Sequence, residues 1–271
     1  MDHYQRGPLR FPVRDTGPPD GQAVVLLHGF PQDHSSYDKV LPHLHARGLR
    51  TLVPLQRGYA ATARPEHRRN YRMSELAADV IALLDAAEID RAHLVGHDWG
   101  GAVGWALAAH HPDRIQSLTV LSTPHPTAFI TALWRSSQAL MSGYMAFFQT
   151  PWLPEAVLRR SLRNGLIRSG LPAADAHRYC QRMLDGGALT GALNWYRALP
   201  LSRNRTVEQI TVPTTYMWGR HDFALGRAAA QRTQRYVTAD YRFLEIDAGH
   251  WLPERHPSEV AGAILRRVLA L

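Results

Sequence analysis

The sequence predicts an α/β fold: a mostly parallel central sheet with helices on both faces, carrying an inserted block made of helices alone. Three features point to it. Short apolar runs alternate with longer amphipathic stretches up to residue 123. That alternation stops at Pro124 and strand signals resume only at Val212. One apolar run passes through Gly96-His97-Asp98-Trp99-Gly100 directly into a helix-like segment.

Ala23-Val24-Val25-Leu26-Leu27 is apolar without alternation, the pattern of a strand buried on both faces. Leu49 to Leu55, His93 to Gly96 and Ile115 to Leu121 read the same way. Between them lie helices over 74–87, with Leu76, Val80, Leu83 and Leu84 on one face, and over 100–110. From Pro124 to about Arg205 only helical stretches follow, over 128–147, 154–168, 172–184 and 188–199. Strands return at Thr214 to Trp218 and Tyr241 to Ile246. A closing helix over 257–270 is entered through Pro257 and Ser258. The expected division is a core of residues 1–123 and 206–271 and a helical lid of residues 124–205.

A chain of 271 residues with 45% hydrophobic content has ample core for one large domain with an insertion. The single cysteine, Cys180, excludes a disulfide scaffold and reads as a small apolar filler in a lid helix. No apolar run approaches the ~18 residues of a spanning helix, and Met1-Asp2-His3-Tyr4 lacks a secretory pattern. A soluble cytoplasmic protein is expected. The net charge of +8 first suggests a polyanion partner. Residues 125–205, however, hold 10 basic and 3 acidic side chains, so the excess belongs to the lid. No nucleic-acid motif accompanies it, and no spacing suggests a metal site or a cofactor.

The small residues of Gly96-His97-Asp98-Trp99-Gly100 permit the sharp strand-to-helix turn that lifts a nucleophile above a sheet edge. Asp98 stands where many hydrolases of this layout carry serine. A carboxylate there attacks saturated carbon and leaves an ester on the enzyme. After the first apolar strand comes His28-Gly29-Phe30-Pro31. The backbone N–H groups of Phe30 and Trp99 are the expected oxyanion-hole donors. Asp222 and His250 each follow a strand. Asp98, Asp222 and His250 keep the nucleophile–acid–histidine chain order, with His250 as base and Asp222 as its orienting partner.

These strings resemble the α/β-hydrolase superfamily and, within it, the soluble epoxide hydrolases. The resemblance runs through residues 28–31, Gln56-Arg57-Gly58-Tyr59, 96–101, Asp222-Phe223 and Gly249-His250-Trp251. It extends to the lid, at Tyr144-Met145-Ala146-Phe147-Phe148-Gln149 and, more distinctively, Ala192-Leu193-Asn194-Trp195-Tyr196-Arg197. The resemblance implies that Tyr144 and Tyr196 hold the epoxide oxygen and that the substrates are a small-molecule epoxide and water. The chain departs from the family pattern at Leu55-Gln56, where an acidic residue usually precedes Arg-Gly-Tyr, and at Ala60, where glycine is usual.

The expected reaction converts an epoxide to a vicinal diol without a cofactor, in an apolar pocket lined by Phe30, Trp99, Phe147, Phe223 and Trp251. His28 and His97 are expected to pack beside the site and His125 to sit at the lid entrance. A haloalkane dehalogenase shares the aspartate nucleophile, but the Asn that many of these enzymes carry after His-Gly is Phe30 here. A non-catalytic ligand-binding relative would tend to lose a triad member, and all three are present. A homodimer is left open, and neither a nucleic-acid nor a membrane partner is expected.

Overall fold

The computed structural model describes residues 1–135, 138–202 and 209–270. Eight strands form one sheet: β1 (His3–Arg6), β2 (Leu9–Thr16), β3 (Ala23–Leu27), β4 (Arg50–Pro54), β5 (Ala92–His97), β6 (Ile115–Leu121), β7 (Thr214–Gly219) and β8 (Tyr241–Ile246). Their spatial order is β1-β2-β4-β3-β5-β6-β7-β8. The pairs from β4 to β8 are parallel, whereas β1 and β2 form an antiparallel ribbon on β4. The helices in chain order are α1 (Leu41–His45), α2 (Met73–Ala86), α3 (Trp99–His110), α4 (Pro126–Arg135), α5 (Gln138–Met141), α6 (Gly143–Phe147), α7 (Leu153–Arg168), α8 (Ala173–Cys180), α9 (Leu189–Ala198), α10 (Arg227–Arg232), α11 (Leu252–Arg255) and α12 (Pro257–Val268).

The unbroken apolar strands follow from burial on both sides. Val24 and Leu26 of β3 join a core with Leu41 and Leu44 of α1 and Ile264 of α12. Val25 and Leu27 face the opposite core, with Leu76 and Val80 of α2 and Val103 of α3. Alternate residues of one strand thus feed two layers.

The ribbon at the amino-terminal end was not among the expected strands. In β1 only Tyr4 is buried, and in β2 the buried Phe11 and Val13 alternate with Arg10, Pro12 and Arg14. A proline inside an alternating, charged segment argues against a central strand and fits a peripheral one.

Between β6 and β7 the chain builds α4 to α9. The stretch expected as one helix over 128–147 divides into α4, α5 and α6, with residues 136–137 outside the described residues. The helix expected over 172–184 is α8, continued by a π-helical turn over Gln181–Asp185. The boundary expected between residues 205 and 206 also lies outside the described residues.

Named contacts fasten this block to the sheet. Trp195 Nε1 on α9 donates to the Arg57 carbonyl at 2.8 Å. Arg57 is itself buried on Asp79 through bonds of 2.7 and 2.6 Å. Arg197 on α9 forks onto Glu155 of α7 at 2.7 and 2.8 Å, and it also donates to the Phe148 and Thr150 carbonyls. The Tyr179 hydroxyl on α8 donates to Glu254 of α11 at 2.7 Å. These bonds hold the helices over the carboxyl ends of the parallel strands, where an open α/β sheet places its site.

Candidate active site

Asp98 forms the turn between β5 and α3 with φ 51° and ψ −118°, a conformation unusual for a residue with a Cβ. The turn is tight because its neighbours are glycine. A Cβ on Gly100 would meet the Leu27 carbonyl, and one on Gly29 would run into the Asp98 side chain. The Phe30 N–H donates to Asp98 Oδ1 at 2.8 Å. That donor is held in place from below. Gln56 Nε2 donates to the His28 carbonyl at 2.6 Å, and the Gln56 N–H donates to His28 Nε2 at 3.2 Å. Burial pushes the His28 imidazole down to about 4. His28 is therefore neutral near pH 7, with its Nδ1–H toward the Gly29 carbonyl at 3.1 Å.

His250 lies just beyond β8. Its Nδ1 stands 2.8 Å from Asp222 Oδ2, and its Nε2 stands 3.8 Å from Asp98 Oδ2, too long for a hydrogen bond. The other Asp222 oxygen accepts the Ala224 and Leu225 N–H groups at 2.8 and 3.0 Å, so this carboxylate cannot turn away. Burial pulls the His250 imidazole down, but the Asp222 and then the Asp98 carboxylates outweigh it and bring it up to about 9. Burial raises the Asp98 carboxyl, opposed by the His250 charge and the Phe30 and Trp99 N–H groups. The resting site thus favours a protonated His250 between two carboxyl groups.

A second layer positions the His250 backbone. His97 Nε2 lies 2.9 Å from the His250 carbonyl, and Ser122 Oγ donates to that carbonyl at 3.0 Å. His97 Nδ1 lies 2.7 Å from Gln32 Oε1, so the one proton of this buried imidazole is shared between two acceptors, that oxygen and the His250 carbonyl. Gln32 Nε2 donates to Glu254 Oε1 at 2.7 Å, the same oxygen that accepts from Tyr179. Burial raises the Glu254 carboxyl. Gln32, Ser122 and Glu254 have no sequence signal: Gln32 and Glu254 are 222 residues apart, and neither belongs to a recognisable string.

Asp98, His250, Tyr144 and Tyr196 share one cavity of about 410 Å³, and Phe30, Phe223 and Trp251 also face it. Tyr196 is buried edge-on to Trp99, with ring centroids 4.9 Å apart, and edge-on to Phe30 at 5.6 Å. The Tyr144 ring is 6.0 Å from that of Tyr196, and Tyr144 as a whole residue is 36% exposed although its phenol faces the cavity. Burial raises both phenols, and the Asp98 charge adds to the effect, so each stays a hydrogen-bond donor.

Phe147 does not line the cavity; Phe148 does. Phe148 lies one helical turn beyond Tyr144, and its ring is 4.9 Å from that of Tyr196, which carries it to the inner face. Trp99 backs Tyr196 and does not reach the cavity wall, so its backbone N–H is what it offers the site. His125 is buried against Tyr236 and Trp105, away from the cavity. Cys180 is buried. Among the described residues no His, Cys, Asp and Glu side chains group as a metal-ligand set, and no helix is long and apolar enough to cross a membrane.

Known proteins share this layout. A family model described as the alpha/beta hydrolase fold matches residues 22–257. The AB hydrolase superfamily protein YfhM of Bacillus subtilis is 36% identical over 266 residues, covering 93% of this chain and 92% of the relative. Human epoxide hydrolase 4 is 33% identical over 271 residues, covering 93% of this chain and 74% of that protein. The crystal structure of epoxide hydrolase A from Mycobacterium thermoresistibile superposes with a TM-score of 0.84 at 27% identity. It covers 99% of this chain and 98% of that one.

Proposed function

The chain belongs to the epoxide hydrolase family of the α/β-hydrolase fold, and from that premise we propose that it converts an epoxide to a vicinal diol through an ester on Asp98. The observation that carries the mechanism is the convergence of Asp98, His250, Tyr144 and Tyr196 on one cavity.

Asp98 Oδ1 is held by the Phe30 N–H, which leaves Oδ2 free to attack an oxirane carbon from the side opposite its C–O bond. That bond breaks as the new one forms, and Tyr196 with Tyr144 donates a proton to the developing alkoxide. The product of this step is a hydroxyalkyl ester, with Oδ1 now its carbonyl oxygen.

Losing the Asp98 charge removes one of the causes that raise His250. After alkylation the imidazolium therefore gives its proton, through solvent in the cavity, to the phenolate left by the ring opening, which restores the tyrosine and leaves His250 neutral. Neutral His250, held by Asp222, takes a proton from water while that water attacks the ester carbonyl. The charge moves onto Oδ1, where the Phe30 N–H already points and the Trp99 N–H can join it. Collapse breaks the bond between the ester carbonyl carbon and the alkyl oxygen, His250 returns the proton, and the diol leaves. The helices from α4 to α9 act as the lid in this scheme, because they bring the proton donors over the nucleophile.

Intact mass measurement of His250→Gln after exposure to styrene oxide is expected to find one added substrate mass, lost in Asp98→Ala. No adduct alongside rapid wild-type diol formation would exclude the ester. Halide release from haloalkanes without diol from epoxides would move the activity to dehalogenation.

A further inference from the structure

We infer that α7 gives this cavity a preference for epoxides that carry a carboxylate away from the ring; the inference rests on the epoxide-hydrolase reading above. Helix α7 carries Arg159, Arg160, Arg163 and Arg168 against one acid, Glu155, and that acid is taken by Arg197. None of the four arginines forms an ion pair with a carboxylate among the described residues. Elsewhere Arg50, Arg57, Arg114, Arg227 and Arg267 each lie between 2.6 and 2.8 Å from a carboxylate oxygen. Arg47, Arg68, Arg69 and Arg255 are surface cations without such a pair among the described residues, so what sets two of the α7 arginines apart is their place on a cavity wall.

Two of these unpaired cations, Arg160 and Arg168, line the cavity, with Asn164 between them. Spaced four residues apart, the three side chains share a helix face and span roughly 12 Å along its axis. Arg160 makes one long bond, 3.5 Å, to the Ala156 carbonyl one turn back, which leaves most of its guanidinium fork free. Arg168 sits in the last turn of α7, where the helix dipole favours a cation, but that account does not extend to Arg160 in the middle of the helix.

The distribution of charge along the cavity orients such a substrate. Asp98 is the only carboxylate among the described lining residues, and it sits at the reacting end. Repulsion from Asp98 and attraction at α7 together place the ring inward and the tail anion at the helix. The Arg168 end is the nearer one. The neighbouring Ser169 accepts a hydrogen bond from Trp251 Nε1 at 3.0 Å, and the Trp251 ring is 5.1 Å from that of His250. Phe148, Leu158 and Leu162 give the same cavity an apolar wall, so the favoured substrate is an amphiphile: epoxide, apolar body, carboxylate. A guanidinium binds a carboxylate with two parallel N–H bonds, a geometry that an amide or ester in its place does not satisfy.

The experiment compares a terminal epoxide bearing an aliphatic carboxylate with its amide of equal chain length, on the wild-type chain and on Arg160→Gln/Arg168→Gln. In low salt, kcat/KM for the acid is expected to exceed that for the amide roughly tenfold, through KM, with the ratio shrinking as salt is raised. The double substitution is expected to bring the ratio close to one. Because the ratio is taken within one protein, a change in folded fraction does not move it. Equal kcat/KM for acid and amide in the wild type, or a ratio unmoved by the double substitution, overturns the preference while leaving epoxide hydrolysis standing. Hydrolysis of neither compound, nor of styrene oxide, removes the underlying reading, and the preference falls with it.

Discussion

The loops at the sheet edge and the helices above them hold their polar groups by different means. At the edge, backbone groups hold each residue of the proposed triad: the Phe30 N–H on Asp98, the Ala224 and Leu225 N–H groups on Asp222, and the His250 carbonyl beside His97 and Ser122. Above it, Tyr144 is one-third exposed and presses on its neighbours through its ring, and the arginines of α7 form no ion pair with a carboxylate among the described residues. Groups fixed by the backbone serve a transition state of fixed shape, because little reorganisation is needed when charge appears. Groups held by side-chain packing can differ in what they admit without disturbing that geometry. On the proposed mechanism the strand loops hold the nucleophile and its base, whereas the helices supply both the two phenols and the arginines that would set selectivity.

The largest expected effect tests the edge. Asp222→Asn must keep one oxygen on two backbone N–H groups, which turns its NH₂ toward His250 Nδ1. The imidazole then carries its proton on Nε2 and cannot accept one from water. Hydrolysis of the Asp98 ester, followed in single turnovers, is expected to slow on the order of 10⁴-fold. A loss below about tenfold would mean that the edge is less rigid in its demands than its hydrogen bonds imply.

Next in size is a contrast between the two phenols. Tyr196→Phe is expected to lower kcat/KM for a neutral epoxide by about 10²- to 10³-fold. Tyr144→Phe should cost less, because water reaches its more exposed position and can donate in its place. Equal losses would erase the gradient from buried to exposed donor across the insertion.

The smallest effect is one of stability. His250 has its proton affinity raised to about 9 by two carboxylates, so it stabilises the fold fully below its unfolded value of 6.5. That contribution fades as pH climbs from 6.5 through about 9. His28, pushed down to about 4 by burial, works in reverse and weakens the fold as pH falls from 6.5 toward 4. Wild-type Tm should therefore decline more between pH 6.5 and 9 than that of His250→Gln. Parallel curves would show that the two carboxylates do not hold the proton in the folded chain.

The sequence made the sheet edge legible because its chemistry is local. A turn with Asp98 at its apex needs small residues at fixed positions, and apolar strands on both sides mark where the turn lies. Asp222 and His250 follow strands for the same reason. Packing between distant elements left no such mark. Phe148 displaces Phe147 at the cavity because the short α6 sets its own rotation. Gln32 and Glu254 meet across the whole chain, and nothing near either announces the other. Arg197 stood in the string Asn194-Trp195-Tyr196-Arg197, yet its fork onto Glu155 depends on how α9 meets α7. The β1–β2 ribbon escaped notice because a peripheral strand tolerates charge and proline that a central one does not.

The bend at Asp98 carries an engineering consequence. Backbone angles of 51° and −118° suit glycine, and a residue with a Cβ adopts them at a cost of about 1–3 kcal/mol. Glycine at that position would relieve the strain and remove the carboxylate in the same step, and a single base change converts an aspartate codon to a glycine codon. Laboratory evolution scored on heat tolerance alone would therefore find a short route to a sturdier chain without the proposed nucleophile. A screen on this scaffold must score turnover in every round, because the residue proposed to attack the epoxide is also one its backbone would be more relaxed without.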